Sequence, residues 1–563
     1  MTARAVSVLT EVAALDRPFT YVTSAATANV EAGDRVRVSL NGRSVRGWVL
    51  GDAEPIADML ALTKSLGYGP PGELLDLARW VSDRWCAPLA RVLVSLSPVG
   101  VVSKLPVAPA PLSPPVAPHH RWRPGPLHLA PTTDPLDVVL AAYERVWTRP
   151  GSLLVLVPSD AWARRLQGRL AQRGLAVAGA DQWAEMRAGW PVIVAARGGA
   201  LAPTARLSGA VVIDADDESY VSPMFPNWDA LSVVAERCRR DGADLWATSL
   251  APSPSLLALG ALESDPEFVA AWPTVTVVDR RARDPHEGAL AAPTLAAAHR
   301  ALEGPEAVAV VVVLQRLGTG RLLACARCGE LARCAVCHQA EGDVEGGVAC
   351  SEMHEVRVPF CRACGATKLK RVRSGVTTLA RDVANQLARP VSEVTRAASP
   401  DVLERVVVGT EAVFSRVRRS ALVVYVDFDQ YLLAPHASAR RTAINAVGRA
   451  GRLVGSRRER RGEVIVQTRR GDDLVVEALE TLDFTRVMDS DVSDARALGL
   501  APYGASALVS GEDAAQAVEG LGRADVTVSE TASGFVVRAG DPLVLGRLLK
   551  EQTLGRRVRV AIA

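Results

Sequence analysis

The sequence is best approached through what it lacks. No apolar stretch among its 563 residues is long enough to cross a bilayer. The longest, residues 307–314 (AVAVVVVL), falls far short of the ~20 residues a spanning helix needs and reads as a buried strand. Lysine is scarce: Lys64, Lys104, Lys368, Lys370 and Lys550 are the only five among 65 basic residues. The residues before them are Thr63, Ser103, Thr367, Leu369 and Leu549, and none is glycine. That excludes a phosphate loop of the G-x-x-x-x-G-K-[ST] type, in which glycine amides wrap the phosphates and the adjoining lysine neutralises them. Secretion is not expected either, because Glu11 interrupts what would be the apolar core of a leader in MTARAVSVLTEVAAL. A soluble, cytoplasmic protein is the expectation. The net charge of +3 points to no class of partner. Arginine enrichment suits phosphate contacts, although codon bias gives the same composition.

Cysteine is sparse except in one place. Seven of nine fall within residues 325–364. They form three C-x2-C pairs (Cys325/Cys328, Cys334/Cys337, Cys361/Cys364) and, with a histidine, one C-x3-H pair, Cys350/His354. A C-x2-C pair lets two thiolates close on one tetrahedral ion, and four donors make a closed structural zinc site. Four pairs therefore predict two sites. Disulfides or a redox pair are the alternatives, but a cytoplasmic setting disfavours the first and the second needs one pair, not four. For the eighth ligand His338, beside Cys337, competes with His354.

The length predicts roughly three or four domains. Residues 1–100 read as a small β-rich domain closed by a helix. RPFTYVT, EAGDRVRVSL and SVRGWVLG are strands punctuated by Gly33, Gly42 and Gly47, while Leu74, Leu77, Ala78, Val81 and Trp85 share a helical face. Residues 101–125 are a proline-rich linker. In residues 126–300 the strands SLLVLVP, PVIVAAR, AVVIDAD and ADLWATS alternate with helical stretches, as in a parallel α/β domain. A second such domain spans 301–481 and contains the cysteine-rich insert, 322–370. Residues 482–563 read as a small α+β domain without recognisable chemistry.

Several motifs match one family. They are Arg17-Pro18-Phe19-Thr20-Tyr21, the run AGDRVRV at 32–38, Gly47-Trp48-Val49, Gly375, Gly409-Thr410, and Gly448-Arg449-Ala450-Gly451-Arg452. With these, and with a zinc insert inside its second α/β domain, the chain resembles the primosomal protein N′ (PriA) family of replication-restart DNA helicases. The resemblance covers nearly everything but the linker, which is too short for the winged helix the family carries there. It implies an amino-terminal domain that pockets a 3′ DNA end, with Phe19 at a pocket position and Tyr21 close by. The acidic residue usual after that phenylalanine is Thr20 here, and Phe19, Tyr21 and Trp48 read equally as core aromatics. It also implies two RecA-like motor lobes. One zinc would be held by Cys325, Cys328, Cys361 and Cys364, the other by Cys334, Cys337, Cys350 and His354. Family spacing would put that last ligand at Met353.

The motor motifs have lost their chemistry. Asp214 keeps the first place of the acidic box, where a helicase holds magnesium, but Ala215 stands where a glutamate orients the attacking water. The phosphate-loop region, residues 128–139 (HLAPTTDPLDVV), has neither glycine nor lysine. Arg449 and Arg452 would reach ATP across the lobe interface in an active motor. Two Zn2+ are thus expected as cofactors, and ATP is not. Basic runs supply candidate DNA contacts at Arg371, Arg373, Arg418 and Arg419, though such runs are often merely solvated. The leading reading is a restart protein that binds stalled-fork or single-stranded DNA and helps assemble the primosome with other primosome and single-strand-binding proteins, without unwinding. The alternatives are an active ATP-dependent 3′–5′ DNA helicase and a zinc-stabilised protein scaffold that does not touch DNA.

Overall fold

A computed structural model describes residues 4–12, 15–114, 120–281, 288–315, 323–336, 338, 340–344, 346–350, 354–371, 376–395, 399–521, 525–531, 533–553 and 557–562, and of Arg371 the backbone alone. The amino-terminal domain is an antiparallel sheet of β1 (Ala5–Thr10), β2 (Pro18–Val22), β3 (Arg35–Leu40), β4 (Arg43–Asp52) and β5 (Lys64–Ser65), in the order β2-β1-β4-β3-β5. Strand β1 is buried on both faces. Val6 and Val8 pack with Tyr21, Val36, Val38 and Val49, whereas Leu9 joins Trp48 against the helices Leu75–Arg84 and Leu89–Leu96.

Two parallel sheets form the middle of the molecule. The first contains β6 (Gly125–His128), β7 (Ser152–Leu156), β8 (Val177–Gly179), β9 (Val192–Ala195), β10 (Leu207–Val212), β11 (Asp244–Ser249) and β12 (Glu263–Ser264), ordered β12-β6-β11-β10-β7-β9-β8. The second contains β13 (Thr274–Asp279) and β14 (Val310–Val313). After the insert, whose strands are β15 (Leu323–Cys325), β16 (Gly342–Val344), β17 (Gly347–Ala349) and β18 (Leu369–Arg371), it continues with β19 (Val391–Val394), β20 (Val406–Gly409), β21 (Leu422–Tyr425) and β22 (Glu463–Thr468). Its order is β13-β22-β21-β14-β20-β19. Central strands such as VVVV and LVVY are apolar throughout because helices cover both faces. One boundary moves. The sequence suggests a first lobe ending at 300, but β13 pairs in register with β22 from Thr274 to Asp279, so the change of sheet precedes Thr274.

The carboxy-terminal domain is an antiparallel sheet of β23 (Ala505–Gly511), β24 (Val526–Thr531), β25 (Gly534–Ala539) and β26 (Val558–Ile562), ordered β24-β25-β23-β26. A single apolar cluster runs from Leu93 of the first domain through Leu156 and Ile193 of the first lobe to Val509 and Leu549 of this last domain. Its helix Pro542–Thr553 lies so close to the helix Leu75–Arg84 that a Cβ on Gly546 would sit 2.0 Å from the Asp83 carbonyl oxygen. Among the described residues no helix is long and apolar enough to cross a membrane.

Candidate functional site

The cleft between the lobes is where a motor would bind its nucleotide. Strand β6 leads through residues 129–134 into the helix Pro135–Val146. In a nucleotide-binding protein the free amides and positive dipole end of such a helix receive phosphate. Here Asp134 is the N-cap and accepts from the Leu136 amide at 3.0 Å, while Pro135 at the first turn has no N–H to offer. Arg169 grips the same carboxylate, with Nη1 2.8 Å from Oδ1. Burial acts to raise the Asp134 carboxyl, but Arg169 and the Leu136 amide outweigh it and hold the group below its ordinary value. The amino-terminal end of this helix is thus capped by a carboxylate of the protein's own.

The acidic box follows β10. Asp214 has φ of 50° and donates its amide to Thr248 Oγ1 at 2.9 Å. Ala215 is buried. Asp216 Oδ2 accepts from Ser249 Oγ at 2.7 Å and from the Ser253 amide at 3.0 Å, tying the box to the end of β11. From the second lobe the helix Ala439–Val454 brings Arg452 across, its Nη2 2.6 Å from Asp214 Oδ2 and its Nε 3.1 Å from the Pro131 carbonyl. Arg449 lies 3.2 Å from Glu411 and 3.9 Å from Asp217. What remains between Thr133, Asp214, Thr248 and Arg452 is a cavity of about 10 Å³, room for about one water. The structure thus brings Arg452 to Asp214 and Arg449 to Asp217 and Glu411.

His128, at the end of β6, was not singled out by any motif. Its Nε2 lies 3.0 Å from the Leu250 carbonyl and its ring 4.1 Å from Phe268 and 6.0 Å from Phe484. Burial lowers its pKa to about 4, so the imidazole is neutral and donates through Nε2. Nor did the sequence point to Arg169 or Glu411. The Asp134-Pro135 pair was legible as a helix start.

The cysteine insert gathers two donor clusters. Pairing of β15 with β18 carries Cys325 and Cys328 to Cys361 and Cys364, with Cys325–Cys364 and Cys328–Cys361 sulfurs both 3.5 Å apart. Two sulfurs bound at ~2.3 Å to a tetrahedral ion lie about 3.8 Å apart, while a disulfide bond spans ~2.05 Å. The spacing fits shared coordination. The Arg327 and Cys328 amides point at Cys325 Sγ, at 3.3 and 3.5 Å. Burial raises that thiol, but these amides more than offset it and bring it to about 7. In the second cluster His354 Nδ1 lies 3.4 Å from Cys350 Sγ and 3.8 Å from Cys334 Sγ. Cys337 and Met353 lie outside the described residues. Both clusters have the geometry to hold a metal ion. The buried Glu341–Arg357 pair, with Arg357 Nε 3.0 Å from Glu341 Oε1, braces the same insert.

Of the residues expected to meet DNA, Tyr21 is corrected. It is 3% exposed and its hydroxyl donates to the Ser39 carbonyl, so it belongs to the core of the first domain. Phe19 is half-buried on β2, with the Arg17 guanidinium 5.2 Å from its ring centre. Arg418 and Arg419 are exposed. Arg373 and the Arg371 side chain lie outside the described residues. The basic run at 457–461 is partly engaged already: Arg457 donates to the Pro273 carbonyl and Arg458 pairs with Glu267.

Residues 7–98 match the PriA 3′DNA-binding domain (3′BD) family. No curated protein matches the chain significantly in sequence. Among solved structures, Mycobacterium smegmatis helicase Lhr bound to ssDNA and AMP-PNP is 13% identical, covering 75% of this chain and 57% of that one, with a TM-score of 0.35. S. cerevisiae Dbp5 bound to RNA and ADP BeF3 is 12% identical, covering 67% and 85%, with a TM-score of 0.34. Residues 7–98 thus resemble the 3′DNA-binding domain of PriA.

Proposed function

We propose that this protein is a replication-restart factor, acting in the cytoplasm, that binds stalled-fork or single-stranded DNA and helps assemble the primosome without hydrolysing ATP. The observation that carries the DNA reading is the 3′DNA-binding domain match over residues 7–98. Phe19, on the surface strand β2, is the residue we assign to the 3′-end pocket, and exposed Arg418 and Arg419 are assigned to phosphate contacts. The cleft supports the absence of turnover: Asp134 caps the helix that follows β6, Arg452 binds Asp214, and Ala215 offers no group to orient water. Phosphoryl transfer depends almost wholly on positioning and charge, so these losses remove its basis. The two donor clusters hold structural zinc, with Cys337 as fourth ligand of the second. Other primosome and single-strand-binding proteins are its partners.

The reading is tested by fluorescence anisotropy on forked DNA whose nascent 3′ end is free or blocked by phosphate. The expected result is tighter binding to the free end, with affinity for both falling steeply as salt rises, because backbone contacts release counterions. Absence of binding to any fork would reject the reading.

A further inference from the structure

We propose that side chains of this protein, in place of a nucleotide, hold the two lobes shut, so that the DNA-binding face formed by both lobes is assembled at all times. The DNA consequence rests on the function proposed above; the closure does not.

Three members of the acidic box find partners on one helix of the opposite lobe. Asp214 binds Arg452 at 2.6 Å, Asp217 lies 3.9 Å from Arg449, and Glu218 Oε1 accepts from Thr442 Oγ1 at 2.9 Å. In a working motor, arginines at this place are drawn across by the charge of the nucleotide phosphates. Here fixed carboxylates supply negative charge that never dissociates. Arg452 is held on further sides, by the Pro131 carbonyl and by the Trp162 ring, whose centre lies 5.0 Å from the guanidinium carbon. Charges in such a partly buried cleft are less screened than surface pairs.

Packing closes the same seam. A Cβ on Gly448 would lie 2.1 Å from Leu250 Cδ1, and one on Gly451 would lie 2.8 Å from Pro273 Cγ and 3.3 Å from Pro131 Cγ. Both glycines let the helix lie close against Leu250 and Pro131 of the first lobe, and a side chain at either would have to push these neighbours or Pro273 aside. Beside them His128 and Phe268 meet Phe484, which follows the second sheet in sequence, edge to face with ring centres 6.0 Å apart. Ion pairs, close packing and aromatic contact therefore act together across the seam.

Single-molecule energy transfer tests this, with fluorophores carried on azido amino acids in place of Arg173 and Arg389, exposed in the two lobes. That route leaves the clustered cysteines untouched. One narrow distance distribution is expected, unchanged by ADP, by a non-hydrolysable ATP analogue or by forked DNA. Arg452→Glu should broaden it toward longer distances and weaken DNA binding on the order of tenfold, within the 5–150-fold range usual for coupled sites. Adding Asp214→Arg should restore both. Gly451→Leu, a wedge that alters no charge, should open the lobes while the circular-dichroism spectrum stays that of a folded protein. A wild-type distribution that is broad without ligand, or that shifts on adding nucleotide, would overturn the proposal. So would Arg452→Glu and Gly451→Leu that both leave the distances unchanged. Constant distances with no DNA binding would support closure and remove the DNA reading instead.

Discussion

The Tyr21 hydroxyl donates to the Ser39 carbonyl at 3.0 Å, which fixes the ring inside the first domain, whereas Phe19, two residues earlier on the same strand, keeps part of its ring at the surface. The two aromatics therefore answer different questions when truncated. Tyr21→Ala should cost about 3 kcal/mol of stability, as expected for removing a large buried ring. Phe19→Ala should cost much less and should reduce the preference for a free 3′ end. Chemical denaturation and fork-binding titrations of both variants separate the roles. The opposite assignment would follow if Tyr21→Ala were as stable as wild type yet lost end preference.

Metal analysis should find about two zinc ions per chain. Structural zinc supplies on the order of 10–16 kcal/mol toward ordering a site, and among the described residues the insert's apolar cluster is small, Leu323, Ala332 and Val348 with Leu369 packed against them. His354→Ala should release one ion, because its Nδ1 faces both Cys334 and Cys350, while Met353→Ala should release none. One ion or none in the wild-type chain would contradict the two-site reading.

Lys550 joins the two ends of the chain. Its ammonium lies 3.0 Å from Asp16 and 3.6 Å from Asp83, and Asp16 is 4% exposed in its side chain. Removing one partner of a buried pair leaves the other charge uncompensated. Lys550→Met should therefore lower the melting temperature and increase hydrogen exchange in residues 75–84. Deleting residues 1–98 should expose the shared apolar core and give an aggregating product rather than a stable fragment. A soluble, cooperatively melting deletion product would contradict the fused core.

His128 predicts a pH dependence. Its folded pKa is depressed from 6.5 to about 4, so the unfolded chain takes up this proton before the folded one does. The contribution is constant above about pH 6.5, declines as pH falls from there toward 4, and is flat below. The loss amounts to on the order of 3 kcal/mol over that window. Denaturation curves of wild type and His128→Gln at intervals between pH 7 and 4 should converge toward the acid end. Parallel curves would mean that His128 does not titrate as its burial dictates.

Much of this architecture was legible from residue patterns, and the failures have physical causes. The runs VVVV and LVVY are strands because β-branched residues are buried on both faces. The cysteine spacing pointed to two donor clusters. Strand β6 was missed because GPLH has no β-branched residue and only four positions. Strand β1 went unread, and β23 likewise: AVSVLT and ASALVSG mix small polar and apolar residues, and both become central strands only through their neighbours. The sheet to which β13 belongs is set by pairing nearly 190 residues away with β22, which no local pattern encodes. The loss of glycine and lysine from the phosphate loop was plain. That Asp134 pairs with Arg169 and Asp214 with Arg452 was not, since each pair is a long-range contact.

The most direct test is phosphate release from ATP by the highly purified protein, with and without forked DNA. The residues filling the cleft predict release indistinguishable from the buffer control in both cases, with DNA binding intact. DNA-stimulated turnover at about one per second or faster, ordinary for an enzyme, would contradict the account and restore the helicase reading.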